Sequence, residues 1–398
     1  MTIDFSAGAQ ALGYLYQARY ALWLLLSREE ELELSIEALD DVEFDDKGSP
    51  RELLQLKHHN KPVSLTNTSP ELWKTLRIWS NHIYNDKIAP GSVILTLVTT
   101  SIAADDSIAS KLRSDSTRNP IEAHQALTNI AKSSSNESLE DAFIEFLNVS
   151  EEDRLTLIKS IYVLDRSPDI QDTAERIKDK IKLSVDRQHR EGLYERLEGW
   201  WFNKVVSHLS SNPETPISGF EVSDQINNIA RQFQPDALPI DFLDAQPDHV
   251  DAESDSRLFV RQLKAIAVHN KRIENAIVDY YRAFEQRSRW TREHLLIGEE
   301  LQRYEKRLVD EWERFMLSMA DDSNFDTLKD LELQQIGRRI YNWMEQDADY
   351  KIRTNVTEPY ILRGSYHMLA DDDPPRVWWH PKFIERVAQV LKKGGADR

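Results

Sequence analysis

Leu39-Asp40-Asp41-Val42, followed closely by Leu53-Leu54-Gln55-Leu56-Lys57-His58-His59, decides how this chain is read. Successive side chains alternate in direction along a strand, so Leu54 and Leu56 face one way while Gln55 and Lys57 face the other. Residues 32–39 alternate in the same manner and predict a strand; 41–44 begin another, with a turn at 45–48. Upstream, Leu12, Tyr16, Tyr20 and Trp23 recur at helical spacing within 10–28, which predicts a buried first helix. Downstream, residues 69–84 predict a helix with Pro70 near its start, and the apolar run 93–99 predicts a buried strand. The order is helix, three strands, helix, strand.

Asp41, Gln55 and Lys57 suit phosphodiester hydrolysis. That reaction needs an ion to polarise the phosphate, an activated water and charge stabilisation at the leaving oxygen. A carboxylate at a strand start can hold Mg²⁺, or Mn²⁺ in its place, since these ions take oxygen ligands and keep several waters. Asp41 is expected to be the main metal ligand. Gln55, fourteen residues later, is expected as a second ligand or a water orienter. Lys57 shares the face of Gln55 and is expected to position water and stabilise charge on the phosphate. Glu37 precedes Asp41 by four residues and reads either as a second metal carboxylate or as a surface glutamate. Gln17, on the first helix, either completes the metal shell or satisfies a buried backbone group. Asp40 reads as a turn or capping residue, His58 as packed, and His59 as a neighbour of Lys57 within reach of phosphate. A bare D…Q-x-K spacing is common by chance, so its weight comes from the elements around it.

Composition narrows the field. With 398 residues, 40% of them hydrophobic, the chain can bury the cores of two domains. Cysteine is absent, which excludes disulfides, thiolate zinc sites and thiol nucleophiles. No apolar run approaches the ~20 residues of a membrane span, and no basic leader is visible, so a cytoplasmic location and no membrane contact are expected. The formal charge of -18 argues against a surface that coats DNA non-specifically, though basic groups can still be confined to one cleft. There is no P-loop, G-x-G-x-x-G or G-x-S-x-G motif, so the chain is not expected to bind ATP itself.

Residues 103–185 predict mostly helix, broken at 133–138, with a strand over 158–164 and a helix from about 169. Long charged helical patterns follow at 191–209, 257–286 and 289–319. After them come a helix at 331–347, a loop at 371–375 and a last helix at 381–393. The reading is an α/β domain over 1–190 and a mainly α-helical domain over 191–398. In the second, Arg282, Arg287, Arg289 and Arg292 alternate with Tyr280, Tyr281, Phe284 and Trp290, a mixture that serves either core packing or a protein interface.

Gly13-Tyr14-x-Tyr16-Gln17, Leu39-Asp40-Asp41-Val42 and Leu54-Gln55-Leu56-Lys57-His58 together resemble the Mrr-related PD-(D/E)xK double-stranded DNA endonuclease domain of bacterial anti-phage effectors, over roughly residues 8–190. The resemblance implies a restriction-endonuclease-like fold and a metal-dependent active site at Gln17, Asp41, Gln55 and Lys57. Glutamine stands where the commonest form has an acid, as in the Mrr branch, which leaves metal stoichiometry open. Leu193-Tyr194-Glu195-Arg196-Leu197-Glu198-Gly199-Trp200-Trp201 and the run from Asp279 to Trp290, with Asp310-Glu311-Trp312, resemble the C-terminal domain of three-component ABC-ATPase defence systems. The two halves together are similar to the nuclease subunit of Lamassu systems (LmuA type). That likeness implies an SMC-like ABC ATPase partner, a small accessory subunit, and a nuclease held inactive until it is released to self-associate, as a tetramer, and cut double-stranded DNA. The competing expectation is a catalytically inactive scaffold or adaptor of the ATPase complex.

Overall fold

A nineteen-residue helix, α1 (Ala7–Leu25), opens the computed structural model, which describes residues 7–46, 49–59, 63–211, 215–321 and 324–385. Tyr16, Tyr20, Ala21 and Leu24 are buried on one side of α1. Three antiparallel strands follow: β1 (Glu33–Ile36), β2 (Val42–Asp46) and β3 (Ser49–Lys57), with Leu34 opposite Phe44 and Val42 opposite Leu54. Next come the short β4 (Ser64–Leu65), helix α2 (Pro70–Tyr84), strand β5 (Ile94–Thr99) and the short β6 (Ile102–Ala103), which pairs with β4 in a separate two-stranded sheet. Here β5 runs parallel to β3 and sets Lys57 opposite Thr99. Joining strands of the same direction requires a crossover, and α2 lies in that connection.

Helices α3 (Pro120–Ser133), α4 (Glu140–Asn148) and α5 (Glu151–Ser160) precede β7 (Ile161–Leu164), which lies parallel to β5. Helices α6 (Ile170–Ile181) and α7 (Arg190–Ser210), the two-residue β8 (Ile217–Ser218) and α8 (Gly219–Arg231) complete this part. The main sheet is mixed, in the order β7-β5-β3-β2-β1-β8. Its principal core joins Leu53, Leu95 and Leu97 to Trp73, Leu76 and Trp79 of α2. Phe143 of α4 meets Trp73 edge-on, with ring centroids 4.6 Å apart. Each such side chain removed from water contributes about 1.5–3 kcal/mol, so this face anchors α2 to the strands.

Several elements differ from the sequence reading. Residues 37–39 leave the predicted first strand because Glu37 adopts the left-handed conformation (φ 57°) and turns the chain after Ile36. Residues 158–160 belong to α5, so β7 starts later than predicted. The pattern over 289–319 is not one helix, since the chain breaks between Arg292 and Glu300. Of the last predicted helix, residues 386–393 lie outside the described residues.

The first compact unit is Met1–Ala230 and the second Arg231–Arg398, so α7 and most of α8 group with the sheet rather than with the domain read as starting at 191. The second unit is α-helical among its described residues: α9 (Leu258–Ala265), α10 (Asn270–Arg292), α11 (Glu300–Asp321), α12 (Asp330–Asn342) with a π-helical turn at Trp343–Asp347, and α13 (Pro359–Asp371). Phe259, Ile340, Tyr366 and Trp379 are fully buried in its core. Gly364 lets α13 close onto α10, where a Cβ would collide with the Asp279 carbonyl. The fold is therefore an α/β unit with a mixed sheet, followed by a helical unit.

Candidate active site at the sheet edge

The β1–β2 hairpin brings the acidic residues together. Ile36 pairs with Val42, and the Glu37 N–H donates to the Asp41 carbonyl at 3.2 Å. Glu37 and Asp41 therefore approach by closing a loop, not by alternation along an unbroken strand. Beyond the last β2–β3 pair, Val42 with Leu54, the Asp41 side chain takes over the role of a strand partner. Its Oδ2 accepts the Leu56 backbone N–H at 2.7 Å.

Gln55 is buried and joined at both ends of its amide. Its nitrogen donates to Asp40 Oδ1 and, at 3.2 Å, to Asp41 Oδ1. Its oxygen accepts from Lys57 Nζ at 2.7 Å. Lys57 Nζ also lies 3.7 Å from Asp41 Oδ2. Behind Gln55, Asp40 is 5% exposed, and its Oδ2 accepts from Trp79 Nε1 at 2.6 Å. A continuous chain of side-chain bonds thus runs from the core tryptophan of α2 to the ammonium group of Lys57. Burial pushes the Asp40 carboxyl up to about 7, although the Trp79 and Gln55 bonds pull it back.

Glu37, Asp41 and Lys57 line one open cavity of about 450 Å³, with Gln17 and Tyr14 of α1 on its other wall. Gln17 lines the cavity beside Glu37. Burial raises the Glu37 carboxyl above its ordinary range and the Asp41 charge raises it further, while Lys57 and Gln17 act in the opposite direction. A cation placed beside Glu37 and Asp41 would offset the repulsion that the Asp41 charge exerts on Glu37. Oxygen donors of this kind fit Mg²⁺, which needs few protein ligands because it keeps its waters. Among the described residues, no group of three or more His, Asp or Glu side chains is placed to hold an ion. Glu37 and Asp41, with the Gln17 amide beside them, could hold an ion there.

His58 packs its ring against Tyr16, centroids 4.7 Å apart. His59 faces the cavity and is held by Glu71, from the first turn of α2, at 2.5 Å. Its backbone N–H donates to Thr100 Oγ1 at 2.9 Å. All five site residues expected from sequence, Gln17, Glu37, Asp41, Gln55 and Lys57, meet here. Three participants were not anticipated: Asp40, read as a turn residue; Trp79, which fastens it; and Glu71, which holds His59. Asp40, the first of two adjacent acids before a strand, carries no burial signal of its own in the sequence. Trp79 and Glu71 are far from the motif in sequence, and only the packing of α2 delivers them.

Residues 259–387 match the family model of C-terminal domain 7 of the ABC-three component (ABC-3C) systems. Among solved structures, the chain is similar to the Acinetobacter baumannii Cap4 SAVED/CARF-domain containing receptor with the cyclic trinucleotide 3'3'3'-cAAA. Identity is 13% and the TM-score 0.32, over 64% of this chain and 57% of that one. It is also similar to the Moraxella osloensis Cap4 SAVED/CARF-domain containing receptor, at 15% identity and a TM-score of 0.33, over 64% of this chain and 60% of the other. The chain thus spans less than two thirds of the length of these structures. No curated protein matches it. Among the described residues no helix is long and apolar enough to cross a membrane.

Proposed function

We propose that the first unit is a metal-dependent double-stranded DNA endonuclease of the restriction-endonuclease-like, PD-(D/E)xK kind. The helical unit then attaches it to the ATPase side of a bacterial ABC-three component defence system, of the Lamassu type. The observation that carries this reading is the convergence of Glu37, Asp41 and Lys57 on one open cavity, with Gln55 bonded to two of the three site groups behind it. The family match over 259–387 supports the assignment to a three-component system and, through it, to an ATPase partner.

Glu37 and Asp41 are the groups that would hold Mg²⁺ or Mn²⁺, whereas the Gln55 oxygen, expected from sequence as a second ligand, is taken by Lys57 Nζ. When bound, the ion would polarise the phosphate and supply an activated water. The remaining work falls to the chain itself. Leu56 N–H and Gln55 fix the Asp41 carboxylate, so its oxygens do not reorient during the reaction. Gln55 Oε1 aims the Lys57 ammonium beside Asp41, where it can stabilise charge on a cleaved phosphate and orient the attacking water. Trp79 and Asp40 hold Gln55 from the core side, so the site rests on the α2–sheet interface. One such site cuts one strand, and self-association would align two for a double-strand break. An accessory subunit and an SMC-like ATPase would keep the idle form apart.

The test is cleavage of linear and circular duplex DNA by the purified chain with Mg²⁺ or Mn²⁺. Lys57→Ala should reduce cleavage by about 10²–10³-fold, by analogy with loss of one charge-stabilising group, while leaving the melting temperature unchanged. A self-associated wild-type protein that cuts no duplex with either ion would sink the reading in favour of an inactive scaffold. An active strict monomer, measured by light scattering, would remove the self-association step alone.

A further inference from the structure

The run from Asp279 to Trp290 in α10 is mostly absorbed by packing. Tyr280 stacks on Phe259 with ring centroids 5.1 Å apart. Gln286 accepts from the Asp241 N–H at 2.7 Å and donates to the Pro239 carbonyl at 3.0 Å. Arg287 is buried against Glu305 and Ser365, and Trp290 Nε1 donates to Pro239 O at 2.7 Å. Asp279 and Arg282 are not absorbed in this way. Together with Arg363 of α13 they line a cavity of about 580 Å³.

Both arginines are pinned by one N–H each. Arg282 Nε donates to the Ala245 carbonyl at 2.7 Å, and Arg363 Nε donates to the Glu345 carbonyl at 3.0 Å. Their remaining N–H groups have no bond or ion pair among the described residues, and neither does the Asp279 carboxylate. Burial nevertheless pushes the Asp279 carboxyl up to about 6, with the charges of Arg363 and Arg282 pulling it down. Opposite charges lining one cavity would gain from direct pairing, yet Asp279 makes no ion pair with either arginine among the described residues. The two backbone tethers keep them apart and leave room between them. Lys271 and Glu274 of the lining pair with each other at 2.9 Å, Gln246 and Asn275 add amides that both donate and accept, Val250 and Val278 add apolar wall, and no aromatic ring among the described residues lines the space. Without a ring to stack on, a nucleobase is poorly served.

We propose that this cavity binds a polar peptide segment with an acidic side chain, contributed by a partner protein. Arg282 and Arg363 take the carboxylate through paired N–H donors, as guanidinium groups do in protein interfaces. Gln246 and Asn275 take the peptide's carbonyl and N–H groups, and Asp279 accepts a further main-chain N–H. The site stands independently of the nuclease reading, because its lining residues all belong to the helical unit and none is a sheet-edge residue.

The full chain, labelled at valine methyl groups, is titrated with the end-capped peptide Ala-Gly-Glu-Gly-Ala and with its glutamine counterpart, using Val250 and Val278 as reporters. The expected result is that the glutamate peptide moves both valines and binds about tenfold tighter than the glutamine peptide, as a charge-assisted contact would. Arg282→Gln and Arg363→Gln should each weaken it by a similar factor. Asp279→Asn, an isosteric change that keeps the fold if the arginine variants do not, should tighten glutamate-peptide binding several-fold by removing a like charge. Equal affinity for the two peptides, silent valines, or an unchanged Asp279→Asn affinity would overturn the proposal. So would inorganic phosphate binding more tightly than the peptide, which would make this a small-anion site.

Discussion

Two sets of buried polar groups, one at the sheet edge and one in the helical core, are bonded differently. In the sheet-bearing unit, bonds run from side chain to side chain, Trp79 to Asp40 to Gln55 to Lys57, and end at an open cavity. In the helical unit, four buried aromatic rings end instead on main-chain carbonyls. Trp290 reaches Pro239, Tyr304 reaches Tyr350, Trp312 reaches Trp378 and Tyr366 reaches Leu308. A side chain bonded to a carbonyl ties a loop or helix in place. A side chain bonded to other side chains fixes an orientation, and orientation matters only where something must be gripped. The first set ends at the candidate site, and the second ties the helical core together.

The largest effect that could break this contrast is in the scaffold. Trp290→Ala removes a fully buried ring and its bond to Pro239, and should lower the stability of the helical unit by about 3–5 kcal/mol. Denaturant unfolding followed by tryptophan fluorescence checks it. A loss below about 1 kcal/mol would mean that this core relaxes freely and that its carbonyl ties matter little.

A smaller effect sharpens the meaning of the site network. Gln55→Glu would restore the commoner acidic form of the motif, yet it removes the amide N–H groups on which Asp40 and Asp41 depend. A third carboxylate would then face two others beside a buried core. The expected cost is about 1–3 kcal/mol, the range for a buried acceptor left without its donor. Adding Asp40→Asn should recover much of it, because asparagine supplies an N–H of its own. If Gln55→Glu alone is neutral or stabilising, the glutamine is not there to serve Asp40.

Much of the fold could be read from the chain because alternation and helical spacing report which face is buried. Leu54 and Leu56 against Gln55 and Lys57 is such a signal, and α2 and β5 appear within a residue or two of their predicted bounds. Where β1 ends is different. The left-handed turn at Glu37 occurs at a residue type that gives no hint of it, since glycine or asparagine usually marks that conformation. The burial of Asp40 is likewise a tertiary fact, produced by Trp79 descending from a helix thirty-nine residues away. In the helical unit, Arg287 and Arg282 look alike in sequence, but one is buried on Glu305 and the other faces a cavity. Composition carries no term that separates them.

His367 offers a pH-dependent test of the scaffold. It is enclosed by Phe259, Tyr341 and Trp379, and burial drives its pKa down to about 3, with Arg257 and Arg363 adding to the effect. The unfolded chain takes up this proton near pH 6.5, whereas the folded unit refuses it until about pH 3. Stability is therefore present above pH 6.5 and is lost as pH falls towards 3, by up to about 1.4 kcal/mol per pH unit from this residue. His367→Leu should flatten that part of the unfolding profile between pH 6 and 4, a window set by the two ends of the shift. An unchanged slope would show that the ring is already charged or accessible in the folded unit.

The smallest expected effect returns to the cavity mouth. His59 and Glu71 meet at 2.5 Å, with the histidine side chain 37% exposed and the glutamate side chain 10% exposed. A half-open pair of this kind contributes about 1 kcal/mol or less to stability, because water competes for both partners. Glu71→Gln should therefore barely move the melting temperature, and it should lower duplex cleavage by less than about tenfold if His59 only steadies a phosphate near Lys57. The comparison with Gln55→Glu is what gives this small number its use. Should Glu71→Gln destabilise the protein as much as Gln55→Glu, the pair would belong to the framework that fastens α2 to β3. A silent melting curve with weakened cleavage would instead place it among the groups that face the substrate.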